Sequence, residues 1–260
     1  MTIRSITFNQ QKQFKRFVED AGNRALKEVN LDRDGLQYLI EHGGDFQAYL
    51  IDGVRRFGAK VPSYGLARSI LGVDFITPER VAKARKNIVY TDEQISKLIK
   101  NLPSEAVLKW CKDHGYAVIP APPTTMSILD IREVQRDLFC SKTGGWYDGQ
   151  RFACKDKTSF GWLSVKKTPV QNSIGKMYDE QEKLLFSPEK VPNAAEMCWF
   201  ITTYFKVCGI QLFKGVYVRT SSWASVGYHV CVGFSSTGEI DIRDSWDGYD
   251  NTGLSVALVN

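Results

Sequence analysis

The chain has 260 residues, of which 43% are hydrophobic and 24% charged, with a formal net charge of +5. These proportions are ordinary for a soluble globular protein, and the length allows one large domain or two modest ones. No apolar run approaches the roughly 20 residues of a membrane span, and the polar N-terminus is not a signal peptide. We therefore expect a cytoplasmic protein or a component of a virus particle, without a membrane partner.

The residues from 1 to 115 predict a series of helices. Apolar side chains recur at steps of three and four residues between 9 and 29, which indicates one amphipathic helix. Asp45, Thr77, Thr91 and Ser104 are suitable caps for later helices. The apolar residues of the first helix are Phe14, Phe17, Val18, Ala21, Ala25 and Val29.

This helical region is also the basic part of the chain. Residues 1–115 contain 19 Lys and Arg against 14 Asp and Glu, whereas residues 116–260 contain 15 of each. The basic residues are interspersed with acids rather than clustered, which favours a solvated helical surface. We expect a packing or assembly module, and nucleic-acid binding by residues 1–115 is kept as an alternative.

A change of pattern at residue 116 predicts a second domain, residues 116–260. Tyr116–Pro120 is a short apolar strand, Ser127 begins a helix, and residues 161–167 alternate like a strand. Asn193 can cap an apolar helix with Glu196 three residues on, as in a capping box. The predicted fold class is therefore α+β.

The last forty-odd residues alternate like a sheet with two different faces. One face is uniformly apolar and predicts a core, whereas the other carries imidazole, thiol, carboxylate and guanidinium groups. Aromatic residues lie in or beside the loops, where they suit recognition of a partner. The predicted core residues are Val218, Val230, Val232, Phe234, Ile240, Ile242, Val256 and Leu258.

The cysteines and histidines do not predict a metal centre or a catalytic triad. The six cysteines include no C-x-x-C pair, and the three histidines are far apart in the sequence. Asp244, Asp247 and Asp250 are three residues apart and lack the spacing of a calcium-binding loop. We expect reduced thiols, no cofactor and no metal ion. The cysteines are Cys111, Cys140, Cys154, Cys198, Cys208 and Cys231.

Two segments resemble the formylglycine-generating-enzyme version of the C-type lectin fold. PNAAEMCWFI is similar to its P-T-E-A-E-W-E-Y helix start. That motif has Trp and Tyr after its second Glu, whereas Met197 and Cys198 follow Glu196 here, with Trp199 and Phe200 nearby. The closing strands of that fold carry W-S-S-E, F-x-S-x-G and G-x-R-V-x-L patterns. Segments similar to them occur here in the same order and at approximately the same spacing, as VRTSS, YHVCVGFSSTG and GLSVALV. The resemblance covers roughly residues 116–260 and implies a C-type-lectin-like domain there.

Within this fold the chain is more similar to the variable proteins of diversity-generating retroelements than to the enzymes. In those proteins the C-terminal strands and loops carry hypermutated ligand-binding residues over an unvaried apolar scaffold. The corresponding candidates here are Trp223, Tyr228, His229, Cys231, Asp241, Arg243, Ser245, Trp246, Tyr249 and Asn251.

The sequence thus predicts a non-enzymatic protein that binds a protein or other macromolecule at its C-terminal face. An assembly partner is expected through residues 1–115. One alternative is a formylglycine-generating type of oxidase, which would need a reactive pair of cysteines near the C-terminus. Cys231 is alone in the last fifty residues. The other alternative is the nucleic-acid-binding protein.

Overall fold

The structure is a computed structural model that describes residues 7–29, 32–44, 47, 50, 64–225, 227–245 and 251–258. The chain divides into two compact units, Met1–Val61 and Pro62–Asn260.

The first unit is helical in its described part. It contains α1, Phe8–Val29, and α2, Arg33–Glu41, so the helix predicted for residues 9–29 is confirmed. No described residue of this unit is buried. The further helix predicted to begin at Asp45 lies largely outside the described residues.

The second unit combines eight helices with two sheets in its described part, so a mixed α+β class is confirmed. Four helices of this unit begin at the predicted residue, whose side chain accepts a hydrogen bond from a backbone N–H: Thr77, Thr91, Ser104 and Ser127. A fifth helix begins with the predicted capping box of Asn193 and Glu196. These caps satisfy amide groups that a helix start would otherwise leave without partners. The helices are α3 Gly65–Leu71, α4 Pro78–Ala84, α5 Asp92–Lys100, α6 Glu105–Asp113, α7 Ile128–Val134, α8 Arg151–Lys155, α9 Tyr178–Glu182 and α10 Ala194–Cys208.

Each sheet has four strands in the described part of the unit. The strands are β1 Tyr116–Pro120, β2 Trp162–Lys166, β3 Glu189–Lys190, β4 Tyr217–Trp223, β5 His229–Phe234, β6 Ile240–Ser245, β7 Thr252–Leu254 and β8 Ala257–Leu258. The first sheet has the order β1-β2-β8-β3 and the second β6-β5-β4-β7, with β4 and β7 parallel and the other neighbours antiparallel. The final strand thus joins the first sheet, and the C-terminal stretch supplies strands to both.

Helix α10 is the central element of the core. Its residues from Ala194 to Tyr204 are all buried, as its mainly apolar sequence predicts. The Phe205 ring lies 5.4 Å from that of Phe234 in the second sheet, and the Trp199 indole donates to Pro120 O at the end of β1. Contacts with both sheets place one face of the second sheet against this helix.

Helices α3 to α6 belong to the same core as the sheets. The Phe75 ring lies 5.1 Å from the Trp162 ring of β2, and the Trp162 indole donates to Leu98 O in α5 at 2.7 Å. The predicted boundary between residues 115 and 116 therefore falls inside a compact unit that begins at Pro62. Within the described part of the chain, no helix is long and apolar enough to cross a bilayer.

Candidate functional site

The second sheet has an inner face on α10 and an opposite, outer face. Val218, Val230 and Val232 on the inner face are fully buried, and the other predicted core residues are buried as well, as expected. On the outer face, residues that lie opposite one another on β4, β5 and β6 form three rows across the sheet. The rows are Tyr217, Gly233 and Asp241; then Arg219, Cys231 and Arg243; then Trp223, His229 and Ser245.

A segment before α10, residues 169–182, covers one side of the outer face and is called the strap. It is fixed to β7, where Leu254 N donates to Ser173 Oγ at 3.0 Å and Gln181 Nε2 donates to Thr252 O at 3.3 Å. The guanidinium of Arg219 is fully buried and donates to Lys176 O and Gln181 Oε1 at 2.7 and 2.8 Å. The strap therefore closes the β4 side of the face.

His229 and Cys231 are buried, which corrects the prediction that both side chains meet a partner. The His229 ring is stacked on the strap residue Tyr178 at 3.5 Å between centroids, and its Nδ1 is 2.9 Å from Thr220 O. Cys231 lies in the sheet between Arg219 and Arg243 and has no exposed surface. The alternation of apolar and polar residues correctly places His229 and Cys231 on the face opposite the apolar core. It does not show that another segment of the chain covers part of that face.

Asp241 organises the open part of the outer face. Its Oδ2 accepts a hydrogen bond from Tyr217 Oη at 2.9 Å and from Arg243 Nε at 2.7 Å. The Arg243 guanidinium also lies 4.4 Å from the centre of the Tyr217 ring, within the range of a cation–π contact. Burial, then the hydrogen bond to Asp241, raises the pKa of Tyr217 to about 12. Arg243 itself is 55% exposed, so it can contact a partner.

Trp223 is the large exposed side chain of this face. It ends β4, is 55% exposed, and its ring lies 3.8 Å from the buried imidazole of His229. The exposed Trp223 indole thus packs, tilted by 44°, on the buried His229 ring, which is itself stacked on Tyr178. An indole fixed in this way offers large contact area at a low cost in conformational entropy.

The other predicted ligand-binding residues lie at the ends of the same strands. Tyr228 is half-buried before β5, and Asn251 is exposed before β7, where its carbonyl accepts from Tyr217 N. Ser245 ends β6 at the register position opposite His229. Trp246 and Tyr249 lie outside the described residues.

Two aromatic residues beside the outer face are absent from the predicted set. Tyr178 reaches it through the strap, and Trp146, 42% exposed, donates from its indole to Ile242 O of the edge strand β6 at 2.7 Å. Both lie far from the terminal strands in sequence, in elements that precede β4, so periodicity within those strands could not find them. The aromatic pair after Gly144-Gly145 was the one local signal for Trp146.

The outer face carries groups that can bind a partner specifically: the indole of Trp223, the guanidinium of Arg243 and the carboxylate of Asp241. Within the described ranges, no group of three His, Cys, Asp or Glu side chains could hold a metal ion. A separate cavity of about 500 Å³ has Trp110, Val107 and Pro188 in its lining. Its described lining residues are uncharged, so the outer face has the better means of specific recognition.

No protein-family model, curated protein or solved structure matches the chain.

Proposed function

We propose that the chain is a ligand-binding protein whose outer face recognises a protein or another macromolecule. The observation that carries the proposal is the difference between the two faces of one sheet. The inner residues Val218, Val230 and Val232 are fully buried, whereas Trp223 and Arg243 on the outer face are each 55% exposed. Tryptophan and arginine are among the side chains enriched at the positions that dominate binding energy.

The outer face is also built rigidly enough for specific binding. Asp241 fixes the Arg243 guanidinium against Tyr217, and His229 supports Trp223 from below. Such preorganisation lowers the entropy lost on association. The proposed contact set is accordingly Trp223, Tyr228, Asp241, Arg243 and Asn251, with His229 and Cys231 as the base beneath it.

The finer proposal is a C-type-lectin-like variable protein of a diversity-generating retroelement. Its support is the sequence resemblance, together with a mixed α+β unit whose first and last strands share one sheet. The inner face of the second sheet is apolar and buried, whereas its outer face is chemically mixed. Residues of the outer face could therefore be substituted repeatedly while the inner face maintains the core.

Photo-crosslinking tests the binding proposal. A benzophenone amino acid replaces Asn251 beside the outer face or, as a control, Val89, which is 69% exposed elsewhere. Irradiation takes place in an extract of the organism that carries the gene. We expect a discrete adduct from position 251 that is lost when Trp223→Ala and Arg243→Ala are added. Identical adducts from both positions, or no adduct from position 251, would contradict the proposal.

A further inference from the structure

A second cavity, of about 220 Å³, lies where the first sheet meets the beginning of α10. None of the proposed contact residues of the outer face is in its described lining. Unlike the larger apolar cavity, it has a carboxylate and an ammonium group in its wall, those of Glu196 and Lys190. The rest of its described lining is formed by residues 158–163, Ala121 and Leu258. The cavity therefore combines both signs of charge in a small space.

Glu196 is the buried charged residue of this cavity. It is 8% exposed, and its Oε2 accepts a hydrogen bond from Asn193 N at 2.9 Å in the capping box. Its Oε1 lies 4.0 Å from Lys190 Nζ, which is beyond hydrogen-bond distance, and no other described residue donates to it. A buried carboxylate oxygen without a hydrogen bond is costly, so Oε1 is suited to accept from a ligand in the cavity.

Groups that suit an anion lie in the same wall. The Lys190 side chain is 45% exposed, so its flexible stem can bring the ammonium group to a ligand. The backbone N–H groups of Ser159, Phe160 and Gly161 donate to no residue in the described part of the chain. Successive backbone N–H groups along a concave wall can bind an anion. This side of the cavity is therefore suited to a carboxylate.

The loop that carries these N–H groups, residues 157–161, is fixed at both ends. Asn193 Nδ2 donates to Lys157 O at 3.0 Å, and Ala121 N donates to Gly161 O at 2.8 Å. The wall is thus held in place before a ligand arrives, which reduces the entropy lost on binding.

We propose that this cavity binds a small α-amino acid as a zwitterion. The ligand ammonium donates to Glu196 Oε1, and the ligand carboxylate accepts from Lys190 and from the N–H groups of residues 159–161. A ligand with one charge satisfies only one of these two groups. The cavity has the volume of roughly seven water molecules, below the roughly 300 Å³ at which drug-sized pockets begin, so the ligand side chain is short. This site is additional to the proposed outer face and does not depend on it.

Isothermal titration calorimetry of the full chain at pH 7 tests the proposal, with L-alanine and L-serine at up to about 10 mM as the probes. Ethylamine and propionate are the matched comparisons, because each is alanine without one of its two charged groups. We expect L-alanine to bind at least tenfold more tightly than either. Glu196→Gln removes the charge but keeps an oxygen for the capping box, and Lys190→Met removes the cation. Each should weaken the binding of L-alanine at least tenfold.

The matched controls are Glu105→Gln and Lys109→Met, which remove the charges of an exposed ion pair on α6 and should leave the binding of L-alanine unchanged. Trp223→Ala should also leave it unchanged, which distinguishes this cavity from the outer face. Failure of the unchanged protein to bind either amino acid would overturn the proposal. Ethylamine or propionate binding as tightly as L-alanine would also overturn it, as would equal effects of the cavity variants and their controls.

Near-ultraviolet circular dichroism verifies that each variant stays folded. If Glu196→Gln does not fold, Lys190→Met decides, because Lys190 ends the short strand β3 and its side chain is 45% exposed. Unchanged binding of L-alanine by a folded Lys190→Met variant would overturn the proposal.

Discussion

The guanidinium of Arg85 lies 4.0 Å from the centre of the Trp199 indole ring. Arg85 follows α4 and Trp199 is in α10, and both are almost wholly buried. Arg85 Nη1 also donates to Thr203 Oγ1 at 2.5 Å. This pair joins the helices before residue 115 to the central helix of the sheets, which explains why the two parts share one core.

Arg85→Met should leave the free energy of unfolding within about 1 kcal/mol of the original or increase it. Burial lowers the pKa of Arg85 to about 9, and its Nε and Nη2 have no hydrogen-bond partner among the described residues. Methionine keeps much of the volume and removes the desolvated charge. Arg85→Ala should instead cost about 3 kcal/mol through the cavity. Urea unfolding measures both, and equal losses would show that the charge itself is needed.

Asp148→Asn should lower the free energy of unfolding at pH 7 by about 1 kcal/mol, a value reduced for partial exposure. Arg132 donates to both oxygens of Asp148, at 2.6 and 2.9 Å. The hydrogen bond from Arg132 holds the pKa of Asp148 below its ordinary value. A depressed folded-state pKa stabilises the fold above the unfolded value of about 3.9.

The difference between Asp148→Asn and the unchanged protein should therefore be constant from pH 7 to about pH 4 and shrink at lower pH. Asp137→Asn is the control, because the ion pair of Asp137 with Lys206 is more exposed, and it should change stability by less than about 0.5 kcal/mol. Urea midpoints across this pH range provide the measurement. A difference that persists unchanged to pH 2 would contradict the assignment.

Gly253→Ala should destabilise the second unit by about 1–3 kcal/mol. A Cβ at this position in β7 would lie 2.6 Å from Pro169 Cβ and 3.2 Å from Ser173 Oγ, so the strap would have to move. Gly149→Ala is the control, since its added Cβ meets nothing within 4 Å. Thermal unfolding should distinguish the two. Equal melting temperatures would mean that the strap is not packed on β7 as described.

Tyr217→Phe should cost about 1 kcal/mol near neutral pH through the lost hydrogen bond to Asp241, and this deficit should shrink above pH 10. The folded-state pKa of Tyr217 is raised to about 12, whereas an unfolded tyrosine has a pKa of about 10. The neutral phenol therefore stabilises the fold below pH 10, and this stabilisation is lost as the pH rises towards 12. Denaturant midpoints between pH 7 and 11 measure the deficit. A deficit that grows with pH would contradict the contact.

Local signals in the sequence identified the main elements of the fold. Thr77, Thr91, Ser104, Ser127 and Asn193 were recognisable because a capping side chain acts within three residues of its own position. The two-residue period of a strand predicts that Val230 and Val232 lie on one face of the sheet and that His229 and Cys231 lie on the other.

Long-range packing could not be predicted in the same way. The apolar faces of α3 to α6 indicate burial but do not specify that the strands are their partners. The strap has no regular period, and its contact with Arg219 joins positions about 40 residues apart. The burial of His229 follows from that contact and from Tyr178, and therefore could not be derived from the terminal strands alone.

Under the proposed function, the outer face can change to suit a ligand while the inner face maintains the fold. Sequencing the gene and its flanking DNA from many cells of one population tests this claim most directly. We predict a nearby reverse transcriptase, an imperfect copy of the terminal coding stretch that differs at adenines, and substitutions concentrated at Trp223, Tyr228, Asp241, Arg243 and Asn251. Substitutions spread equally over Val218, Val230 and Val232, with neither genetic element nearby, would contradict it.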